Sequence, residues 1–338
     1  MYIQENISLL PYNTFHINVT ARYFASFATV GELAELLTYA KNKSLPLLVL
    51  GGGSNILLTH DFEGLVLKNS MEGVGLVKED NLHYYVKAGG GENWHRFVQY
   101  CVEQGYAGLE NLSLIPGCVG TSPMQNIGAF GVEIKDVFDS LEAWDIEEGK
   151  VVTFTLNDCG FGYRESAFKH QYKGRFVILT VTFRLNKQPL FHTSYGALEQ
   201  ELQRMQVKEP GIKAIAQAVI NIRVSKLPDP AVIGNAGSFF KNPQIANAQF
   251  TALKQEYPGI QGYPAGDGYT KIFAGWLIEQ CGWKGYRRGD CGVHAKHALV
   301  LVNYGNAEGN DIFNLSCEIL DSVQNKFGIT LEREVNIV

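Results

Sequence analysis

Apolar positions along this chain change period several times, and each change marks an element. Between Val30 and Lys43, Leu33, Leu36, Leu37 and Ala40 recur at helical spacing. Pro46 separates them from Leu47-Leu-Val-Leu50, an unbroken apolar run of the kind that forms a buried parallel strand. Further strands are predicted at 64–68, 84–88, 141–146, 151–156 and 175–185, the last by alternation through Val177, Leu179, Val181 and Phe183. A helix is predicted over 92–104, closing at Gly105, and two more at about 197–206 and 211–226. Leu227-Pro-Asp-Pro230 must stop the last of these, because proline removes a donor and disfavours helix in the residue before it. Beyond it the pattern predicts helices near 246–256, 270–281 and 308–327, and strands at 298–303 and 330–335. The expected class is α+β: a small βαβ unit, a larger mixed sheet, then a C-terminal α+β part.

Composition narrows the function classes. At 338 residues the chain suits two or three domains, and 46% hydrophobic with 19% charged residues is globular. A net charge of −5 argues against a nucleic-acid scaffold, which needs clustered lysine and arginine. The six cysteines form no Cys-x-x-Cys pair and none has a histidine at metal-ligand spacing, so free thiols and no metal are expected. The N-terminal residues have neither the basic nor the apolar region of a signal peptide, and the uncharged stretch 111–132 is too rich in Gly, Pro, Asn and Ser for a membrane helix. A soluble, cytoplasmic protein is expected.

The 36 glycines exceed average usage and cluster, which points to loops that hug a ligand. Gly51-Gly-Gly-Ser-Asn55 directly follows a strand and has the chemistry of a phosphate cradle. It is neither a Walker A loop nor a dinucleotide fingerprint, since no Gly-Lys-Ser/Thr follows and Ile56 stands at the third glycine position. A tight turn is the alternative. Pro116–Gly131 is dense in Gly, Ser, Thr and Asn without a charge, which suits a long neutral ligand held by backbone. Arg164, in Phe161-Gly-Tyr-Arg-Glu-Ser166, offers a planar fork for a carboxylate, or a surface pair with glutamate. Arg223 and Lys226 share a helix face at the proline boundary. In Gly234-Asn-Ala-Gly-Ser-Phe-Phe-Lys-Asn-Pro243 small residues lead into Ser238, with Phe239 and Phe240 as a dry wall; a turn before a buried strand is the competing reading. Alternation on the last strand puts Glu332 and Glu334 on one side, with Leu331, Arg333 and Val335 on the other.

Taken in order, Gly51–Asn55, 115–129, Tyr163–Ser166, Lys226–Pro230, Gly234–Pro243 and Glu334 resemble the MurB-type UDP-N-acetylenolpyruvoylglucosamine reductases, in their longer, type I branch. The resemblance spans almost the whole chain. It implies three domains: 1–70 and 71–226 forming a two-part FAD-binding unit of the PCMH type, and 227–338 binding substrate. It implies noncovalent FAD, reduced by NADPH, which passes a hydride to an enolpyruvyl sugar nucleotide to give UDP-N-acetylmuramate for peptidoglycan synthesis, in a monomer. Arg164 and Glu334 then stabilise the enolate-like intermediate and Ser238 donates the proton; for that, Glu334 should be a buried, protonated carboxyl. Cofactor contacts are implied at Gly51, Gly52, Gly53, Ser54, Asn55, Gly117, Thr121, Ser122, Gly128, Ile178 and Arg223. Substrate contacts are implied at Tyr195, Lys226, Asn242, Tyr263, Lys271, Lys284 and His297. Phe130 stands where the family has a tyrosine beside the flavin, and His297 where it has a glutamine. The rival readings are an oxygen-using flavin oxidase of the same class and a non-catalytic nucleotide-sugar binder. A serine hydrolase built on Ser238 fails, because Ala236 and Phe240 occupy the glycine positions of Gly-x-Ser-x-Gly.

Overall fold

The computed structural model describes residues 2–338. Contacts divide the chain into two compact units. One comprises the chain up to Ile7, Ala21–Gly53 and Phe62–Ser225; the other comprises Ser8–Thr20, Ser54–Asp61 and Lys226–Val338. The proline boundary therefore coincides with a change of unit. Two early segments, 8–20 and 54–61, belong with the C-terminal residues, and the start of the second falls inside the Gly51–Asn55 motif.

The first unit holds two sheets. Strands Gln4–Ser8, Thr20–Phe27, Phe62–Asn69 and Leu47–Leu50 lie in that order, with both strands beside Phe62–Asn69 parallel to it. Helix Val30–Asn42 covers this sheet. It starts at a capping box, with Thr29 accepting from Glu32 N–H and Glu32 reaching back. Its predicted face, Leu33, Leu36, Leu37 and Ala40, is buried with Leu65 and Leu67, and with Val177 and Leu179 of the second sheet. That sheet runs Lys150–Thr155, Phe138–Asp145, Phe176–Asn186, His83–Gly89, Val74–Glu79. Every pairing in it is antiparallel, which corrects the expected mixed sheet. Helix Trp94–Gln104 begins at an Asn93 cap and ends at left-handed Gly105. It buries Trp94, Phe97 and Val98 against Phe183 and Leu185 of the sheet.

The second unit contains two three-stranded sheets, Gln244–Ala246, Tyr269–Ile272, Gly262–Pro264 and Arg287–Arg288, Cys291–Val293, Leu301–Asn303. Its longest helix, Gly309–Phe327, buries Ile312, Leu315, Ile319 and Val323 at helical spacing. Two predicted elements change. The stretch 270–281 is a strand followed by helix Ala274–Gln280, because Asn242 Oδ1 accepts from the Ala274 N–H at 3.0 Å and fixes the helix start there. The expected strand at 330–335 is one isolated bridge, Phe240 to Arg333, and the regular strand is Asn336–Ile337, parallel to Ile56–Leu57. All six cysteines are free. No helix among the described residues is long and apolar enough to cross a membrane.

Candidate active site

In the first unit the glycine-rich segments are folded onto one another. A Cβ on Gly51 would lie 2.5 Å from Thr121 Cγ2, and one on Gly52 would lie 2.8 Å from Gly117 Cα. Gly120 is pressed on Gly90 in the same way and donates to its carbonyl at 2.9 Å. Close loop-on-loop packing therefore constrains these glycines, a reason distinct from both the ligand cradle and the tight turn read from the sequence. Thr121 and Ser122 donate their hydroxyls to the carbonyls of Cys118 and Val119, both at 2.7 Å, and so hold the turn they sit in. Ile178 gives its carbonyl to Asn69 Nδ2 at 3.0 Å.

Arg164 sits at the tip of a tight turn closed by mutual backbone hydrogen bonds of Gly162 and Glu165. Its φ is 57°, a left-handed conformation that costs a side-chain-bearing residue about 1–2 kcal/mol. The turn aims its Nη2 at Gly128 O, 2.6 Å away. Gly128–Ala129 pairs with Val132–Glu133 as a hairpin whose turn residues, Phe130 and Gly131, both have positive φ. Asn126 ties hairpin and turn together, donating to Glu133 Oε2 and Gly162 O, both at 2.9 Å. Arg223, on helix Ile212–Lys226, donates through Nε to Leu114 O at 3.1 Å. Burial, and then the charge of Arg164, hold its guanidinium down to about 10. No carboxylate pairs with Arg223 among the described residues. His95, whose Nδ1 accepts from Leu114 N–H at 3.0 Å, is held below the usual histidine range by burial and by Arg223. Two mutually repelling guanidiniums with Arg223 lacking an acidic partner form a setting that fits an anionic group. Tyr195 is 48% exposed, precedes helix Gly196–Arg204, and meets the Phe130 ring edge-on.

In the second unit, Asn235 shapes the approach to Ser238. Its Oδ1 accepts from Gly237 N–H at 3.0 Å and its Nδ2 donates to Ile233 O at 2.8 Å. Gly237 is left-handed at φ 71°. Ser238 bridges to Val300, and Phe239 N–H donates to Leu299 O at 2.8 Å. On the other side Glu334 N–H donates to Phe239 O at 2.8 Å and Lys241 N–H to Glu332 O at 2.9 Å. This ladder brings Glu334 beside the residue following Ser238, although 96 positions separate the two in sequence. Lys241 is buried and pairs with exposed Glu332 at 2.5 Å. Phe239 and Phe240 are 0% and 1% exposed, as the dry-wall reading expects.

The remaining candidates divide. Tyr263 and Lys271 are directly opposite on adjacent strands. Asn242 spends its carbonyl oxygen on the helix at Ala274. Lys284 pairs with Glu279 at 2.9 Å. Lys226 is exposed at the helix end, and His297 lies three residues before Val300. Ser54 and Asn55 fall in this unit, apart from Gly51–Gly53; Asn55 Nδ2 donates to Glu334 O at 3.3 Å. Sequence reasoning missed Asn126 and Asn235. The available signal was an asparagine next to glycine-rich chain, where its side chain substitutes for backbone partners.

A family model for the C-terminal domain of UDP-N-acetylenolpyruvoylglucosamine reductase matches residues 229–338, and one for an FAD binding domain matches 21–155. Curated relatives named UDP-N-acetylenolpyruvoylglucosamine reductase, from Pseudomonas syringae pv. tomato and Amoebophilus asiaticus, are each 51% identical; the first covers 100% of this chain and 99% of its own, the second 100% of both. The chain belongs to the UDP-N-acetylenolpyruvoylglucosamine reductase (MurB) family. It is an FAD-binding oxidoreductase. The crystal structure of the MurB reductase from Thermus caldophilus has the same fold, with a TM-score of 0.69 over 99% of both chains at 24% identity. A 6-hydroxy-D-nicotine oxidase from Arthrobacter nicotinovorans shares it more distantly, at TM-score 0.51 and 15% identity over 97% of this chain and 86% of its own. Fold alone thus spans reductase and oxidase, and the full-length relatives decide for the reductase.

Proposed function

We propose that this MurB-family reductase takes its electrons from NADPH and reduces UDP-N-acetylglucosamine enolpyruvate to UDP-N-acetylmuramate, as a cytoplasmic monomer with no nucleic-acid or membrane partner. The 71–226 and 227–338 assignments remain our reading of its cofactor and substrate domains, with 1–70, apart from the segments 8–20 and 54–61 that fold with the C-terminal unit, completing the cofactor part. Bound FAD supplies the hydride. An enol ether conjugated to a carboxylate accepts it at the terminal carbon, and negative charge moves toward the carboxylate. Arg164, whose fork is pre-aimed by its strained turn, is assigned to hold that charge. Glu334, half-buried where full burial was expected, is assigned to assist through its carboxyl. Ser238 donates the proton to the neighbouring carbon. A hydroxyl is a very weak acid and works only against a strong base in a dry setting, which buried Phe239 and Phe240 supply. For the cofactor, Arg223 is assigned to the anionic part, beside Gly51–Gly53, Ser54, Asn55, Gly117, Thr121, Ser122, Gly128 and Ile178. Substrate contacts are assigned to Tyr195, Lys226, Asn242, Tyr263, Lys271, Lys284 and His297.

The observation that carries the reading is the ladder that ties Glu334 to Phe239, next to Ser238. Ser238→Ala tests it by stopped flow. We expect flavin reduction by NADPH to be nearly unchanged, with reoxidation by substrate slowed roughly 10²–10⁴-fold, the usual scale of proton-transfer catalysis. Equal losses in both half-reactions would make Ser238 structural.

A further inference from the structure

Asn111 is 1% exposed, at the middle of the 3₁₀ turn Glu110–Leu112. Its amide nitrogen donates to Phe130 O at 3.0 Å and to His192 O at 2.8 Å. These carbonyls belong to different segments. Phe130 turns the hairpin Gly128–Glu133, and His192 lies in the irregular stretch 187–195 that ends at Tyr195. That stretch is largely exposed, Leu190 at 69%. Among residues 188–194, the hydrogen bond that fastens the backbone is the one from Asn111. Beyond it, the Tyr195 and Phe130 rings meet edge to face at 5.6 Å, and Phe191 packs on the cluster of Leu198, Leu202 and Val219.

We propose that Asn111 is a positioning residue: one planar amide, with one proton for each carbonyl, clamps the Tyr195 segment to the Phe130 hairpin and holds Tyr195 ready for the nucleotide-sugar substrate. The proposal rests on the reading of Tyr195 as a substrate contact. The physical reason is a population argument. A released segment samples water-exposed alternatives, and apparent affinity falls by the fraction of molecules still in the competent arrangement. Once substrate is bound the segment is back in place, so turnover itself is little affected.

Asn111→Ala removes the amide; Asn111→Asp keeps its shape and puts acceptors against both carbonyls. Either should raise KM for UDP-N-acetylglucosamine enolpyruvate about 5–30-fold, which is the loss of about 1–2 kcal/mol in hydrogen bonding at 1.4 kcal/mol per tenfold. We expect kcat and flavin reduction by NADPH to stay within about twofold, and chymotrypsin to cut faster near Leu190 and Phe191 in the substrate-free protein. In a Tyr195→Ala background, Asn111→Ala should add nothing further to KM. Additive effects on KM, or a lowered melting temperature with KM unchanged, would overturn the clamp. If Tyr195→Ala itself leaves KM unchanged, the substrate role of Tyr195 fails and the functional claim with it. If Tyr195→Ala raises KM while both Asn111 variants do not, only the clamp is lost.

Discussion

Arg164 carries both a candidate role and a backbone penalty. Its left-handed φ of 57° is kept because Gly162 and Glu165 close the turn and Nη2 reaches Gly128 O. Arg164→Lys would keep the charge and lose the fork. We expect flavin reoxidation to slow by about 10²-fold, the order of losing one positioned donor, with reduction by NADPH much less changed. Unchanged reoxidation would take Arg164 out of the reaction. The motif around Arg164 was legible as residue types. Its strain was not, since nothing in Tyr-Arg-Glu signals positive φ; glycine is the residue that usually does. Glu110 was missed for a related reason. It reads as a surface carboxylate, yet it is 2% exposed and burial pushes its carboxyl above the usual range. Its raised folded value means that it contributes stability fully below the unfolded carboxylate range and loses that contribution as pH rises through the folded value. Glu110→Gln, which still accepts from Gly108 N–H, should therefore flatten the loss of melting temperature as pH rises from the ordinary carboxylate range. An unchanged slope above the ordinary carboxylate range would show that another group sets it.

At the scale of elements, periodicity placed the long helices and four strands of the five-stranded sheet to within a few residues, because one buried face fixes them; the fifth, Val74–Glu79, is mostly exposed and went unpredicted. Short elements went wrong where a single side chain decides the boundary. Helix Ala274–Gln280 starts where Asn242 caps it, and Tyr269–Ile272 ahead of it is a strand. Asn242→Ala should lower stability by about 1 kcal/mol, as other lost N-caps do, while Asn242→Asp keeps an acceptor and most of that stability. Urea titration of both variants separates the cap from any substrate contact, for which KM of the Asp variant is the measure. Gly234 is a second decisive position, because a Cβ there would collide with the Phe15 carbonyl. For Gly234→Ala we expect a loss of about 1–3 kcal/mol in the same titration, the cost of forcing extra volume into a packed contact. Wild-type stability in that variant would mean the backbone gives way at no cost.

At the scale of the whole molecule, the chain is not divided in sequence order. Residues 8–20 and 54–61 fold with the C-terminal unit: Gly234 pairs with Asn303, Asn303 Nδ2 donates to Phe15 O, and Asn336–Ile337 pairs with Ile56–Leu57. Trimming the chain after residue 335 would remove the Asn336–Ile337 pairing and the hydrogen bonds of Thr59 to the Val338 carbonyl. We expect that truncation to destabilise the C-terminal unit selectively, seen as faster amide exchange at 54–61 than in the five-stranded sheet. Uniform exchange would show that the parallel pair is dispensable. The sequence by itself determined the α+β class, the long elements, the proline boundary and the reductase motifs, because these depend on local period, on proline chemistry and on side chains that must be present for the reaction. Only the tertiary structure decided which early segments join the C-terminal unit, that Gly51 and Gly52 serve loop packing, and that Glu334 lies beside Phe239. Each of these depends on a partner far away in sequence, and neither period nor composition carries that partner's address.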